Sequence, residues 1–389
     1  MKNYRQWIWR FQLTRSWIVW TILLIAGCQQ TELPDVPVDR TPALLSDWHL
    51  LNVKDGGLLW REDALPYDLN TPLFTDYAHK LRTVWMPEGT SADYREREHF
   101  DFPVGTVFTK TFYYPKQEGR LLQTSSYDRD FDNRGLNLKN VQLIETRILV
   151  KRETGWEGLP YVWNEDQTEA RLKITGDIRA LSIATGRDVT SFNYVVPNKN
   201  ECASCHASNH TNKKIVPIGP KSRHLNKRYQ HYKQGEDDQL TAWQQSGFLK
   251  NVPDDFLDAA PSAALWEAGA RDNLTHRARS YLDINCGHCH SPVGPADTSG
   301  LFLQADETRT RHLGICKPPI AAGRGAEGRS VSIYPGKPSE SMMVSRMQSA
   351  DLEKMMPELG RSLVHEEGVQ LVASWIASLE GACSDNSFL

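Results

Sequence analysis

The stretch Val107-Phe-Thr-Lys-Thr-Phe-Tyr-Tyr114 decides the fold of the first half of the chain. It is rich in β-branched and aromatic residues, which favour extended strands. The turn Phe102-Pro-Val-Gly105 precedes it, and the run 141–150 carries β-branched residues at alternate positions of its second half. These strands predict an all-β domain over residues 46–200, built as a sandwich or a jelly roll.

The pattern becomes helical after about residue 200. Segment 366–379 is the clearest helix, because its apolar residues recur at helical spacing and two glutamates stand in its first turn. A second helix is predicted at 274–285, directly before Cys286. We therefore expect a multidomain chain, with a helical connector at 201–261 and an all-α domain at 262–389.

Residues 1–27 have the composition of an export signal. A basic segment without acidic residues precedes an apolar run that is too short to span a bilayer. The sequence Leu24-Ile-Ala-Gly-Cys28 resembles the lipobox of bacterial lipoproteins. This predicts a lipid on Cys28 and a proline-containing tether at 28–45. An ordinary secretory signal with an incidental cysteine is the alternative.

The residue after Cys28 indicates a location. It is glutamine and not aspartate, which by resemblance to enteric lipoproteins favours the outer membrane. We expect a lipid-anchored protein on the periplasmic side of a Gram-negative envelope. The formal net charge of the whole chain is −3, so the electrostatic footprint of a nucleic-acid-binding protein is absent from the sequence.

Two pentapeptides of the pattern Cys-x-x-Cys-His, Cys202–His206 and Cys286–His290, indicate covalent haem attachment. In this chemistry the two thiols bond to the haem vinyl groups and the histidine ligates the iron. We predict two haem c groups, bound through Cys202, Cys205, Cys286 and Cys289, with His206 and His290 as axial ligands. A single such motif could instead be chance or half of a zinc site.

Residues 276–380 resemble a class I c-type cytochrome. The matching features are a helix leading into Cys-x-x-Cys-His, a loop, a Met-Pro pair and a C-terminal helix. The resemblance implies a class I cytochrome c domain in which Met356 is the distal ligand of the second haem, with Met355 and Met347 as rivals. Ligation by histidine and methionine raises the reduction potential and leaves no open position.

The first motif has no Met-Pro pair at the corresponding spacing, so its distal ligand is left open. Residues 46–250 resemble the all-β module of uncharacterised bacterial di-haem cytochromes, through the segments 102–112 and 156–165. An iron with five ligands is one alternative. The candidate ligands are His224, His231, Met342, Met343, Met347, His49, His79 and His99.

Two cysteines remain after the lipid and haem positions are assigned. An oxidising periplasm favours a disulfide between these two, Cys316 and Cys383, and two separate thiols are the alternative.

These features predict a membrane-tethered di-haem c-type cytochrome that transfers electrons. Its partner would be a redox protein, either a dehydrogenase or another cytochrome. The alternative is a haem enzyme, peroxidase-like or acting on a small substrate, with a five-coordinate first haem. Whether the chain is an enzyme stays open, and no residue is assigned as catalytic.

Overall fold

The main structural feature of the chain is a curled β-sheet. The computed structural model describes residues 33–127, 129–132, 135–232, 235–267, 273–320 and 323–383. The strands in this part of the chain are β1 Leu51–Lys54, β2 Gly57–Trp60, β3 Leu65–Tyr67, β4 His79–Trp85, β5 Ala92–Asp93, β6 Val107–Gln117, β7 Arg120–Leu122, β8 Leu136–Asn137, β9 Val141–Arg152, β10 Gly155–Trp163, β11 Ala170–Leu172, β12 Asp177–Thr185, β13 Asp188–Val196, β14 Arg228–Tyr232, β15 Gly235–Asp238 and β16 Leu249–Lys250.

Nine of these strands form the large sheet, in the order β11-β10-β9-β6-β7-β12-β13, with β4 pairing with β6 and β3 with β4. Strands β6 and β9 are the longest, and a register shift between Phe112 and Tyr113 interrupts their pairing. Such an irregularity bends a sheet and increases its twist. Smaller sheets join β1, β2 and β8, β14 and β15, and β5 and β16.

The α-helices of the described residues all follow the large sheet in the chain. They are α1 Lys199–His206, α2 Ser222–Leu225, α3 Gln239–Gln245, α4 Phe256–Ala259, α5 Leu274–Leu282, α6 Met342–Gln348 and α7 Glu366–Ala377. A π-helical turn, Asp283–Gly287, continues α5. No described helix has the length and apolar character that crossing a membrane requires.

The two faces of the large sheet are covered differently. On one face, side chains such as Leu81 and Ile148 join a continuous apolar core with Trp48. The other face has one apolar cluster at each end. Helix α3 covers the first through Trp243, and the second surrounds Phe112. Charged side chains of β4, β6 and β9 lie on this second face between the two clusters.

The predicted fold class is wrong. The predicted sandwich or jelly roll requires two large packed sheets, whereas the described structure has one curled sheet of nine strands and beside it only sheets of two or three strands. Alternation of buried and exposed side chains specifies strands, but it does not specify how many sheets they form. That number depends on pairing between distant strands, such as β6 with β9.

The predicted all-α domain at 262–389, and with it the class I cytochrome c domain, is also wrong. In the described residues after 262, the helices α5, α6 and α7 are joined by long irregular segments. Isolated bridges link Ile315 to Ile333 and Val331 to Ser341. The helical period that led to the prediction is confined to α5 and α7, and the glycine- and proline-containing chain between them forms turns.

From Val36 onward the chain forms one compact unit. Ile284 packs in the same apolar cluster as Trp243, and Asn285 Oδ1 accepts a hydrogen bond from the Phe74 backbone N–H at 2.8 Å. The Asp76 carboxylate accepts hydrogen bonds from the backbone N–H groups of Ser362 and Leu363, each at 2.7 Å. These contacts join residues before position 200 to residues after position 261, and the predicted domain boundaries stay a prediction.

A disulfide joins Cys316 and Cys383, with a Cα–Cα distance of 5.1 Å. Both cysteines contact the apolar cluster around Trp375 of α7, so the bond ties the end of the described chain to the interior of its C-terminal part. The two residues are 67 positions apart.

We expect the double substitution Cys316→Ser/Cys383→Ser to lower the free energy of unfolding by about 4 kcal/mol, because the disulfide closes a long loop in the unfolded chain. Urea denaturation followed by circular dichroism measures the difference. The wild type treated with a reductant is the control and should match the variant. Equal midpoints for oxidised wild type and variant would contradict the prediction.

Candidate cofactor-attachment site

The first Cys-x-x-Cys-His motif occupies the last turns of helix α1. A capping box fixes the start of this helix: the Asn198 side chain accepts from the Glu201 backbone N–H, and the Glu201 carboxylate accepts from the Asn198 backbone N–H. Cys202 and Cys205 are three residues apart, and His206 is four residues after Cys202. Helical geometry therefore places all three side chains on neighbouring parts of one face.

Strand β10 supports the first motif. Gly158 lies directly against Cys202, since a Cβ atom at position 158 would be 3.0 Å from Cys202 Cβ and 3.1 Å from its Sγ. Real Cβ atoms rarely come this close to another side chain. The absence of a side chain at Gly158 allows α1 to pack against the sheet with its cysteines toward the second face.

His206 is oriented by a backbone group. Its Nδ1 lies 2.8 Å from the carbonyl oxygen of Val216, which can accept the Nδ1–H proton and leave Nε2 with its lone pair. Burial lowers the pKa of His206 to about 3, and the positive charge of Lys110 acts in the same direction. The imidazole is therefore neutral, as a metal ligand must be.

The second motif begins in the π-helical turn after α5. The backbone N–H groups of Cys289 and His290 donate to the Cys286 carbonyl oxygen at 3.1 and 2.9 Å. His290 Nδ1 lies 3.4 Å from the Ser299 hydroxyl oxygen. Burial is the main cause that lowers the pKa of His290 to about 4, and the Arg346 charge adds to it.

The two motifs lie side by side. Cys289 Sγ is 3.9 Å from the Ser204 carbonyl oxygen, although the two residues are 85 positions apart in the sequence. Next to this contact, the His210 backbone N–H and its Nδ1 approach the Val293 carbonyl oxygen at 2.7 and 3.0 Å. No local pattern in the sequence indicates this proximity, because it depends on how α1 and α5 pack.

The four motif cysteines stay outside the disulfide and are half-buried. Burial raises the pKa of the Cys286 and Cys289 thiols to about 12, and it raises the pKa of Cys202 and Cys205 as well. At neutral pH these side chains are therefore thiols and not thiolates. Thiols at this spacing are the form in which the chain can be joined to vinyl groups.

Met356 lies beside Arg346 of helix α6. Its backbone N–H donates to the Arg346 carbonyl oxygen at 2.9 Å, and Arg346 is the residue whose charge acts on His290. The Arg361 guanidinium donates to the Met356 carbonyl oxygen at 2.9 Å. Met356 is half-buried, whereas its rival Met355 is only 2% exposed and packs in the interior.

The candidate distal ligands of the first motif differ in their availability. His79 uses both ring nitrogens, since Nδ1 lies 2.7 Å from the Asp130 carboxylate and Nε2 lies 2.7 Å from the Thr124 carbonyl oxygen. His99 and His224 each have a buried Nδ1 that lacks a hydrogen-bond partner in the described structure. The others are an exposed histidine, a stacked histidine and three core methionines: His49, His231, Met342, Met343 and Met347.

A row of cations on the sheet was not anticipated from the sequence. Arg82, Lys110 and Arg147 are direct neighbours on β4, β6 and β9. The Phe112 ring lies among them, with the Lys110 Nζ 5.1 Å and the Arg147 guanidinium carbon 4.3 Å from its centroid. The sequence could have indicated an inward-facing cation, because Lys110 interrupts a strand that is otherwise apolar and threonine-rich.

Comparison with known proteins adds no assignment: no family model matches the chain, and no match was found among curated proteins or solved structures. In the described ranges, no group of three or more His, Cys, Asp or Glu side chains is arranged to bind a metal ion. Cys28 lies outside the described residues. The function must therefore be argued from the two motifs and their surroundings.

We expect Gly158→Ala to lower the free energy of unfolding by about 1–3 kcal/mol, because the added methyl group meets Cys202 without room to move. The same substitution in a Cys202→Gly background should have a much smaller effect, since the opposing atoms are gone. Urea denaturation of the four proteins measures this coupling. An equal loss in both backgrounds would show that Gly158 matters for another reason.

Proposed function

We propose that this protein is a di-haem c-type cytochrome that transfers electrons on the periplasmic side of the cell envelope. Cys202, Cys205, Cys286 and Cys289 hold the two groups, with His206 and His290 as axial ligands. The observation that supports the proposal most strongly is the contact between the two motifs, with Cys289 Sγ 3.9 Å from the Ser204 carbonyl oxygen. Two redox groups attached there would be close neighbours.

The residues around the motifs fit such groups. Val216 can accept the Nδ1 proton of His206, and Ser299 lies within 3.4 Å of the corresponding nitrogen of His290. These contacts orient each ring so that Nε2 is available to a metal. The haem iron, when bound, supplies a one-electron couple at moderate potential. The protein's own contribution is to orient the ligands and to shield the couple from water.

Met356 is proposed as the second axial ligand at the second motif. The support is its position beside Arg346 and its partial exposure, in contrast to the enclosed Met355. A thioether is a weak, neutral ligand that favours the reduced iron. A site with histidine and methionine ligands has no open position and suits electron transfer. Further proposals are a lipid anchor at Cys28 and a redox protein as partner.

A second candidate function is a haem enzyme in which the first haem has an open position. The observation that favours it is the pair of buried histidines, His99 and His224, whose Nδ1 atoms lack partners in the described structure. His99 forms an isolated bridge with Lys221, and its pKa is lowered by burial and by the charges of Lys221, His224 and His206. A neutral histidine there could act as a base.

We expect the denatured mature protein to keep the mass of two haem groups, because thioether bonds survive unfolding. Cys286→Ala/Cys289→Ala should keep one group and Cys202→Ala/Cys205→Ala the other, as measured by intact-protein mass spectrometry. The matched control is Cys316→Ser/Cys383→Ser, which should retain both. A wild-type protein without covalent haem would refute the proposal. Carbon monoxide binding to one reduced haem would favour the enzyme over the carrier.

Substitution of Met356 by histidine should lower the reduction potential of the second haem, because imidazole stabilises ferric iron more than a thioether does. The near-infrared band of sulfur-ligated ferric haem should disappear as well. Spectroelectrochemistry follows both changes. Met355→Ala is the control and should keep the band. If Met355→Ala removes the band and Met356→Ala does not, the ligand is Met355.

A further inference from the structure

Four cations share one face of the large sheet. Arg82, Lys110 and Arg147 lie opposite one another on β4, β6 and β9, and Lys80 lies opposite Phe112 one pleat further along. Alternate residues of a strand point to the same side, so all four side chains project from the second face. Lys80, Lys110 and Arg147 lie around the Phe112 ring, with the Lys80 Nζ 5.8 Å from its centroid.

Among the described residues, carboxylate partners are found for the two arginines of this group. Arg82 pairs with Asp68 at 2.6 Å, and Arg147 pairs with Glu145 at 2.5 Å. Asp68 is already shared, because Lys227 also binds it at 2.8 Å. Asp68 and Glu145 are thus already paired with Arg82, Lys227 and Arg147.

The two lysines lack such a partner. No carboxylate of the described residues lies within ion-pair distance of Lys80 or Lys110, and the Lys80 ammonium donates to the Ala78 carbonyl oxygen at 2.7 Å. Asp76 is a further carboxylate whose charge acts on Lys80, but its Oδ1 binds the backbone N–H groups of Ser362 and Leu363. Both lysine residues are half-buried.

Burial without a paired carboxylate disfavours the charged form of both lysines. Burial lowers the pKa of Lys110 to about 7, and the charges of Arg147 and Arg82 act in the same direction. The pKa of Lys80 is lowered for the same reasons. A desolvated cation without a partner is unfavourable, and a bound anion would remove the penalty.

The position of the row indicates which anion completes it. Cys202 packs on Gly158 of β10, and Pro160, two residues further along β10, lies opposite Arg147 of β9, which in turn lies opposite Lys110 of β6. The charges of Arg147 and Lys110 also act on both thiols of the first motif. A group attached to these thiols therefore lies next to the cations. Haem carries an apolar ring and two carboxylates, which match the Phe112 ring and the two lysines without carboxylate partners.

We infer that Lys80 and Lys110 bind the two propionate carboxylates of the haem attached at Cys202 and Cys205. This inference rests on the proposed function.

The first test measures the reduction potentials of the two haems by spectroelectrochemistry in the full-length protein. Lys80→Met and Lys110→Met should each lower the potential of the first haem, because a nearby cation favours the reduced state. We expect at least a tenfold change in the ratio of oxidised to reduced haem at a fixed potential, which for one electron is about 59 mV. The potential of the second haem should not change.

Two further variants serve as controls for charge and position. Lys110→Arg keeps the cation and should keep the potential of the first haem near that of the wild type. Lys116→Met removes a lysine from the end of the same strand and should change neither potential. Unchanged potentials in Lys80→Met and Lys110→Met, with both haems attached, would overturn the inference. A wild type without covalent haem would instead refute the proposed function.

The second test compares stability with and without the first haem. In the Cys202→Ala/Cys205→Ala background the Lys110 ammonium has no haem propionate to bind, so Lys110→Met should raise the free energy of unfolding. In the haem-bound protein the same substitution should lower it, because an ion pair is lost. Urea denaturation measures both effects. A change of the same sign in both backgrounds would show that Lys110 has a purely structural role and would overturn the inference. If the haem-free background does not fold, the reduction potentials of the first test decide alone.

Discussion

The antiparallel register of β4, β6 and β9 is the constraint on which the rest of the structure depends. It places Arg82, Lys110 and Arg147 side by side on one face of the sheet. Like charges directly opposite each other destabilise a sheet unless something compensates them. Asp68 and Glu145 compensate the two arginines, and the apolar clusters at either end hold the strands in place around the charged middle.

The charged middle of the sheet and the first Cys-x-x-Cys-His motif are parts of one arrangement. Helix α1 packs on β10 because Gly158 leaves room for Cys202, and this brings both thiols next to Lys110 and Arg147. The second motif then approaches through the contact of Cys289 with Ser204. Polar contacts such as that of Asn285 with the Phe74 backbone attach the C-terminal part to the sheet. The proposed di-haem function would therefore depend on the β-sheet as much as on the two motifs.

The resemblance to class I cytochromes led to a wrong fold prediction for the segment between α5 and α7, where the sequence itself has no clear helical pattern. The helices α5 and α7 occur close to the predicted segments, because their apolar stripes and caps are local properties. The chain between them was assumed to follow the class I pattern, but it forms turns and isolated bridges. The strands β6 and β9 were likewise visible in the sequence, whereas their assembly into one curled sheet was not, since strand pairing is a long-range property.

The sequence by itself determined the local chemistry. The spacing of Cys202, Cys205 and His206, and its repetition in the second motif, requires no tertiary information to indicate what such residues can bind. The pairing of Cys316 with Cys383 was predicted because these two cysteines remained after the other five had been assigned to the lipid and the haem groups. Only the tertiary structure brought the two motifs together and left Lys80 and Lys110 without a carboxylate partner among the described residues, because both results depend on contacts between residues far apart in the chain. The hydrophobic periodicity of the sequence indicates which side chains are buried, whereas the packing of distant segments decides which groups those side chains contact.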